Sequence, residues 1–211
     1  MKYILSLLII FYSTISLGFY IRLEAGSSIA RKYSMDKSVA AGYYFGNTYR
    51  ADLMFGGVSL NSTNYISHNE SVDDSTTMGA KRIKYNTDIK YFLFNNYFNV
   101  IKREDYNVFL VGGIGYARIK EKVHALFSGI IMNGEVITVP LSVDKFQTKK
   151  TNFIYSIGAG AGIKINSVIH LDLSYNYRDF GRPKADPNIK EIGQVKHYDT
   201  HQVSIGIRLD I

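Results

Sequence analysis

The chain of 211 residues has no cysteine, no tryptophan and only 3 prolines. Without cysteine there is no disulfide framework, no thiolate metal site and no thiol nucleophile. So few prolines leave no room for Pro-rich linkers and allow long extended segments. Beyond the first residues, no apolar run approaches the ~20 residues that a membrane-spanning helix needs. Low-complexity tracts, coiled-coil heptads and a composition shift that would mark a second domain are also missing from the sequence.

The N-terminus carries the first positive signal. Lys2 precedes a short apolar run over residues 4–15, and Ser16 and Gly18 place small residues at −3 and −1 of a cleavage site. This pattern predicts a signal peptide over residues 1–18, cut after Gly18, with residues 19–211 as the exported domain. The net charge is +7, from 25 Lys and Arg against 18 Asp and Glu. For an exported chain that balance favours anionic lipid headgroups, lipopolysaccharide or host polyanions as partners, and nucleic acid is not expected.

Hydrophobic residues make up 46% of the chain, with 17 Tyr and 12 Phe, and they alternate with polar ones. The clearest case is the C-terminal segment. Val203, Ile205, Ile207, Leu209 and Ile211 share one strand face, and Gln202, Ser204, Gly206, Arg208 and Asp210 share the other. Seven further segments alternate in the same way, over residues 19–26, 39–46, 49–55, 83–94, 108–117, 153–165 and 168–178. Their length of roughly ten residues suits a tilted membrane-barrel wall, apolar to lipid and polar to the lumen.

The connections alternate too. Residues 46–48 and 166–167 form tight turns and 95–105 a moderate one, whereas 27–37, 61–82, 120–150 and 179–200 form longer polar loops. All long loops therefore fall at one end, as in outer-membrane barrels with external loops. The expected fold is all-β: an eight-stranded antiparallel up-and-down transmembrane β-barrel.

If the polar faces point inward, they collect a lumen charge network of Arg22, Glu24, Arg50, Asp52, Asp88, Lys90, Lys164, Asp172, Arg178, Arg208 and Asp210. A barrel of ~8 strands has an interior that side chains just fill. Both signs are present, so the network is expected to be a salt-bridged plug, with a narrow polar pore as the other reading. Gly158, Gly160 and Gly162 resemble a nucleotide loop only superficially, because another strand follows rather than a helix. Making room for Tyr or Arg side chains across the lumen is the expected role. His170, Asp172 and Ser174 share an inward face and are the one candidate for lipid-modifying chemistry. His197 and His201 lack convergent carboxylates, so no metal and no cofactor is expected. Tyr43, Phe45, Tyr49, Tyr91, Tyr155, Tyr175 and Tyr177 are expected outside, as interfacial aromatic girdles.

The segments Phe19-Tyr-Ile-Arg-Leu-Glu-Ala-Gly26, Val111-Gly-Gly-Ile-Gly-Tyr-Ala117, Leu171-Asp-Leu-Ser-Tyr-Asn-Tyr-Arg-Asp-Phe-Gly181 and Val203-Ser-Ile-Gly-Ile-Arg-Leu209 resemble the opacity-type porin or surface-antigen family of small outer-membrane barrels. The resemblance covers essentially the whole exported domain. It implies surface-exposed loops and roles in adhesion, antigenic display or limited pore formation. It also implies outer-membrane lipid, the barrel-assembly machinery and a host-surface receptor as partners, and it supplies no catalytic residue. Such barrels usually end on Phe, where this chain has Ile211. The expected function is thus a non-catalytic outer-membrane surface protein. The alternatives are a soluble periplasmic barrel with an apolar ligand inside, or a lipid A-modifying enzyme.

Overall fold

The computed structural model describes residues 18–28, 34–72, 75–128, 130–132, 135–137, 141–182 and 197–211, with side chains described throughout except at 62–83 and 125–146. The expected signal peptide lies outside the described residues apart from Gly18.

Among the described residues ten strands follow one another: β1 (Phe19–Ser28), β2 (Ser34–Phe45), β3 (Tyr49–Val72), β4 (Ser75–Lys102), β5 (Tyr106–Ser128), β6 (Ile130–Met132), β7 (Glu135–Ile137), β8 (Leu141–Lys164), β9 (Ile169–Gly181) and β10 (Tyr198–Asp210). Eight of them close into one barrel, in the order β1-β10-β9-β8-β5-β4-β3-β2, while β6 and β7 form a separate two-stranded ribbon. Every barrel pairing is antiparallel. Pairing between β1 and β10 seals the barrel, from Tyr20 opposite Asp210 to Ser28 opposite Gln202. No strand edge is left open at that seam, which a spanning β-structure requires because lipid offers no hydrogen bonds.

The wall turns its apolar side outward. Leu23 is 57%, Ile157 63% and Ile205 56% exposed, whereas Arg50, Arg178 and Arg208 on the opposite face are at most 2% exposed. This arrangement contradicts the soluble-barrel alternative, which needs the apolar faces inside. Tight connections at 46–48, 103–105 and 165–168 mark one end of the barrel. Gly46 has φ 74° in the first of them, a conformation that favours glycine.

The other end departs from expectation. The polar stretches read as loops over 61–82 and 120–150 are largely strand. β3 and β4 stay paired to Val72 opposite Ser75, and β5 and β8 to Phe127 opposite Leu141. By contrast, β2 leaves β3 at Asp36 opposite Val58, and β9 leaves β8 at Asp179 opposite Tyr155. The barrel is therefore lopsided. Four strands of 23 to 28 residues stand beside four of 10 to 13. Strand extension satisfies backbone groups that a loop would leave to water, so polar side chains with water on one face do not forbid it. Residues 95–102, expected in a turn, also belong to β4, with only 103–105 left to turn.

Candidate functional site

The lumen is built from alternate residues of every barrel strand, and its polar groups form two connected layers. Nearer the short-turn end, Asp172 on β9 receives Arg50 from β3 (Nη2–Oδ2 3.3 Å) and Arg208 from β10 (Nε–Oδ2 3.1 Å, Nη2–Oδ1 3.2 Å). Arg22 on β1 reaches Asp52 at 3.0 Å and Glu24 at 2.9 Å, and it also donates to the Tyr97 hydroxyl. Asp52 is completed by Tyr20 at 3.2 Å and Asn95 at 2.9 Å. In the second layer Arg178 contacts Asp36 at 2.6 Å and Glu24 at 3.5 Å, and Tyr91 donates to Asp36 at 2.8 Å. The guanidinium groups also stack on rings: Arg50 lies 4.3 Å from the Tyr97 centroid and Arg178 4.9 Å from that of Tyr91. Glu24, ion-paired with both Arg22 and Arg178, ties the two layers together.

Glycines create the space for this filling. A Cβ on Gly160 would fall 2.5 Å from the Phe109 ring, and one on Gly56 2.3 Å from the Tyr91 hydroxyl. The side chains in the space at Gly158 and Gly160 are Asn176 and Phe109, and at Gly162 they are Asn107, Asp172 and Arg208, so of the Tyr or Arg expected only one Arg is found. Met54, Ile89, Leu93, Ala117, Ile119, Ile154 and Phe180 close into an apolar cluster, each at most 2% exposed; Met54, in contact with Asn95 and Arg178, starts it between the layers, and Ile89 and Phe180, the next inward residues after Tyr91 and Arg178, carry it past the second. Between the layers remains a void of about 10 Å³, lined by Arg22, Glu24 and Arg178 among others, about one water's worth of space.

The expected network is only partly assembled. Arg22, Glu24, Arg50, Asp52, Asp172, Arg178 and Arg208 are buried in the lumen. Asp210 sits at the short-turn mouth, 3.3 Å from Arg208, and Lys164 is exposed at the same mouth. Asp88 and Lys90 are misplaced: both lie on the outside, where Asp88 accepts from Ser59 at 2.8 Å. Tyr91, expected outside, is 4% exposed in the lumen. These errors share one cause. β4 crosses the edge of the apolar band, and its outer face changes from Phe98, Phe94 and Phe92 to Lys90, Asp88 and Lys84. The rule of polar residues inside holds only where the outside is lipid, so the polar half of the strand suggested the wrong face.

Asp36 and Glu121 were missed because both fell in expected loops. Asp36 belongs to β2. Glu121 belongs to β5 and accepts from the Tyr198 hydroxyl at 2.5 Å. The candidate enzyme triad does not assemble. His170 pairs with Asp210 at 3.0 Å, Asp172 with arginines, and Ser174 with Ser204 at 2.8 Å. His197 and His201 are held by Asp179 and Tyr175, and no metal-binding cluster occurs among the described residues.

The polarity change on β4 continues around one side of the barrel. Phe55, Phe92, Tyr116 and Phe153 stand in direct cross-strand register and face outward. Phe55 and Phe92 are 4.8 Å apart between ring centroids, Tyr116 and Phe153 5.9 Å. The next outward rung pairs Lys90 with Arg118, and the one above it pairs Asp88 with Lys120 and Lys120 with Lys149. An aromatic row followed at once by cationic side chains marks a membrane–water interface. Tyr43, Phe45, Tyr49, Tyr155 and Tyr175 are exposed on the outer wall as expected, and Tyr177 is half-buried there. Beyond the aromatic row, β3, β4, β5 and β8 continue as a raised wall over the shorter strands.

A family model described as "Outer membrane protein beta-barrel domain" matches residues 13–209. A Rickettsia conorii protein named "Putative adhesin RC1281" is 26% identical over 189 residues, covering 88% of this chain and 71% of its own. A similarly named Rickettsia bellii protein is 27% identical, covering 92% of this chain and 88% of its own. Among solved structures, Acinetobacter baumannii CarO aligns with a TM-score of 0.47 and 12% identity, over 90% of this chain and 96% of that one. The attachment invasion locus protein Ail of Yersinia pestis aligns with a TM-score of 0.43 and 13% identity, over 92% and 96%.

Proposed function

The chain belongs to the outer membrane protein β-barrel family and resides in a bacterial outer membrane; on that premise we propose that it is a non-conducting, non-catalytic surface protein that attaches the bacterium to a host receptor through its raised wall. The short turns face the periplasm, and the wall of β3, β4, β5 and β8 faces the medium. One observation carries this reading: the lumen is filled by paired charges and capped by an apolar cluster, while four strands rise past the aromatic row. A sealed lumen leaves little for a channel to do, and the scattered His170, Asp172 and Ser174 leave no assembled nucleophile. The naming of the rickettsial relatives as adhesins supports attachment as the use of the exposed surface. Cleavage after Gly18 and delivery to the barrel-assembly machinery through the alternating terminal strand complete the proposal.

Lipopolysaccharide is the proposed neighbour in the outer leaflet. Lys90, Arg118, Lys120, Lys122 and Lys149 lie just beyond the aromatic row, at the height of headgroup phosphates. Attachment is tested by displaying the protein on a non-adherent bacterium and comparing it with a variant in which residues 64–83 and 125–144 are each replaced by a two-residue hairpin turn, joining the paired Thr63 and Lys84 and the paired His124 and Lys145. The variant is expected to insert and stay heat-modifiable, while adherence to host cells falls to the level of the empty vector. Undiminished adherence by a surface-displayed, wall-deleted variant would contradict the proposal.

A further inference from the structure

The short-turn mouth of the barrel holds a cup of about 470 Å³ that neither the plug nor the wall explains. That size is typical of a small-molecule site. All three tight turns contribute to its rim and the polar lumen forms its floor. Arg50, Lys102, Arg103, Lys164 and Arg208 line it, against the carboxylates of Glu104 and Asp210. Asp172, just below, is shared by Arg50 and Arg208. Even counting Asp172, five cations meet three carboxylates.

Those carboxylates are unevenly engaged. Asp210 already takes Arg208 at 3.3 Å, His170 at 3.0 Å and the Tyr44 hydroxyl at 3.0 Å. Among the described residues, Lys102 is held only by the Asn47 side chain, at 3.2 Å. The floor is also short of acceptors. Arg50 is 1% exposed, yet its Nε and Nη1 have no hydrogen-bond partner among the described residues. A buried guanidinium with idle donors costs free energy that an acceptor would recover.

We propose that this cup binds a soluble polyanion of the periplasm, a phosphate- or carboxylate-bearing small molecule, between the rim cations and the Arg50–Arg208 floor. The periplasmic orientation of the mouth rests on the reading given above; the anion site itself does not. A soluble ligand is favoured over a lipid headgroup because the cup opens along the barrel axis, inside the ring of strands, and not through the lipid-facing wall.

The test uses the protein extracted from outer membranes into uncharged, phosphate-free maltoside micelles, with inorganic pyrophosphate as probe. Titration at low ionic strength is expected to saturate at one site and to shift backbone amides at 46–48, 103–105 and 165–168. The exposed rim variant K102A/R103A/K164A should bind at least tenfold more weakly while its heat-modifiable migration is unchanged. Glu104→Gln should bind several-fold more tightly. Absence of saturation, or equal affinity in the rim variant, would overturn the site. Competition by phosphatidylglycerol vesicles would show a membrane headgroup as occupant and overturn the soluble ligand. Loss of adherence in the wall-deleted protein with pyrophosphate binding intact separates this inference from the attachment reading.

Discussion

Arg178 shows how a charged residue survives inside a membrane barrel. Its guanidinium meets Asp36, Glu24 and the Tyr91 hydroxyl, and its plane lies over the Tyr91 ring. Each contact offsets part of the desolvation cost, and none would do so alone. Arg178→Met leaves two carboxylates desolvated with only partial compensation. Unfolding in urea, followed by the heat-modifiable shift, should show a loss of ~3–5 kcal/mol. The double variant R178M/D36L removes the buried charge with its partner and is expected to lose clearly less. With Asp36→Leu alone completing the cycle, a double-variant loss equal to the sum of the two single losses would mean that the two residues are not energetically coupled. Gly56 makes the complementary point, since its missing side chain is the space that the Tyr91 hydroxyl occupies. Gly56→Leu should therefore destabilise the barrel although the residue lies in an otherwise permissive strand.

At the scale of elements, a strand's outer face reports the medium it meets. On β10 that face runs through Val203, Ile205, Ile207 and Leu209, with only Asp199 and His201 polar at its far end, because most of the strand lies in the lipid. Its inward Gln202, Ser204 and Arg208 were accordingly legible from the sequence, as were Arg22 and Glu24 on β1 and Asp172 and Arg178 on β9. β4 was not, because its 28 residues cross from lipid to water and the outer face changes polarity on the way. Period-two alternation fixes which residues share a face; it does not say which face is inside once both sides carry polar and apolar groups. Asp36 and Glu121 were hidden for a related reason. Composition alone cannot separate a polar loop from a polar strand standing in water. The same reversal yields a prediction. Lys90, Arg118 and Lys149 changed together to Gln should leave folding in neutral detergent unchanged. The rise in thermal stability on adding lipopolysaccharide should shrink in that variant, and an undiminished rise would place the lipid contact elsewhere.

For the whole molecule, the decisive feature is the division of labour between the two halves. The membrane half is closed by pairing of first and last strands and filled by coupled ion pairs, so it is a rigid base. Among the described residues, the half beyond the aromatic row is a wall of four strands on one side, the surface proposed to meet partners. The parity of connections was readable from the turns alone, and it placed the long segments at one end correctly. That those segments are a wall rather than loops depends on pairing between stretches distant in sequence, which local patterns do not encode. The plug is the claim on which this division rests. Ile89 and Phe180, the next inward residues beyond Tyr91 and Arg178, seal the lumen above the charge network with their apolar neighbours. The most direct test is the conductance of the purified protein inserted into a planar lipid bilayer. The filled lumen predicts no resolved current steps above the bare membrane in molar salt, at either polarity. Stable, reproducible unitary steps from the intact protein would contradict the plug and return the lumen charges to the role of a pore lining.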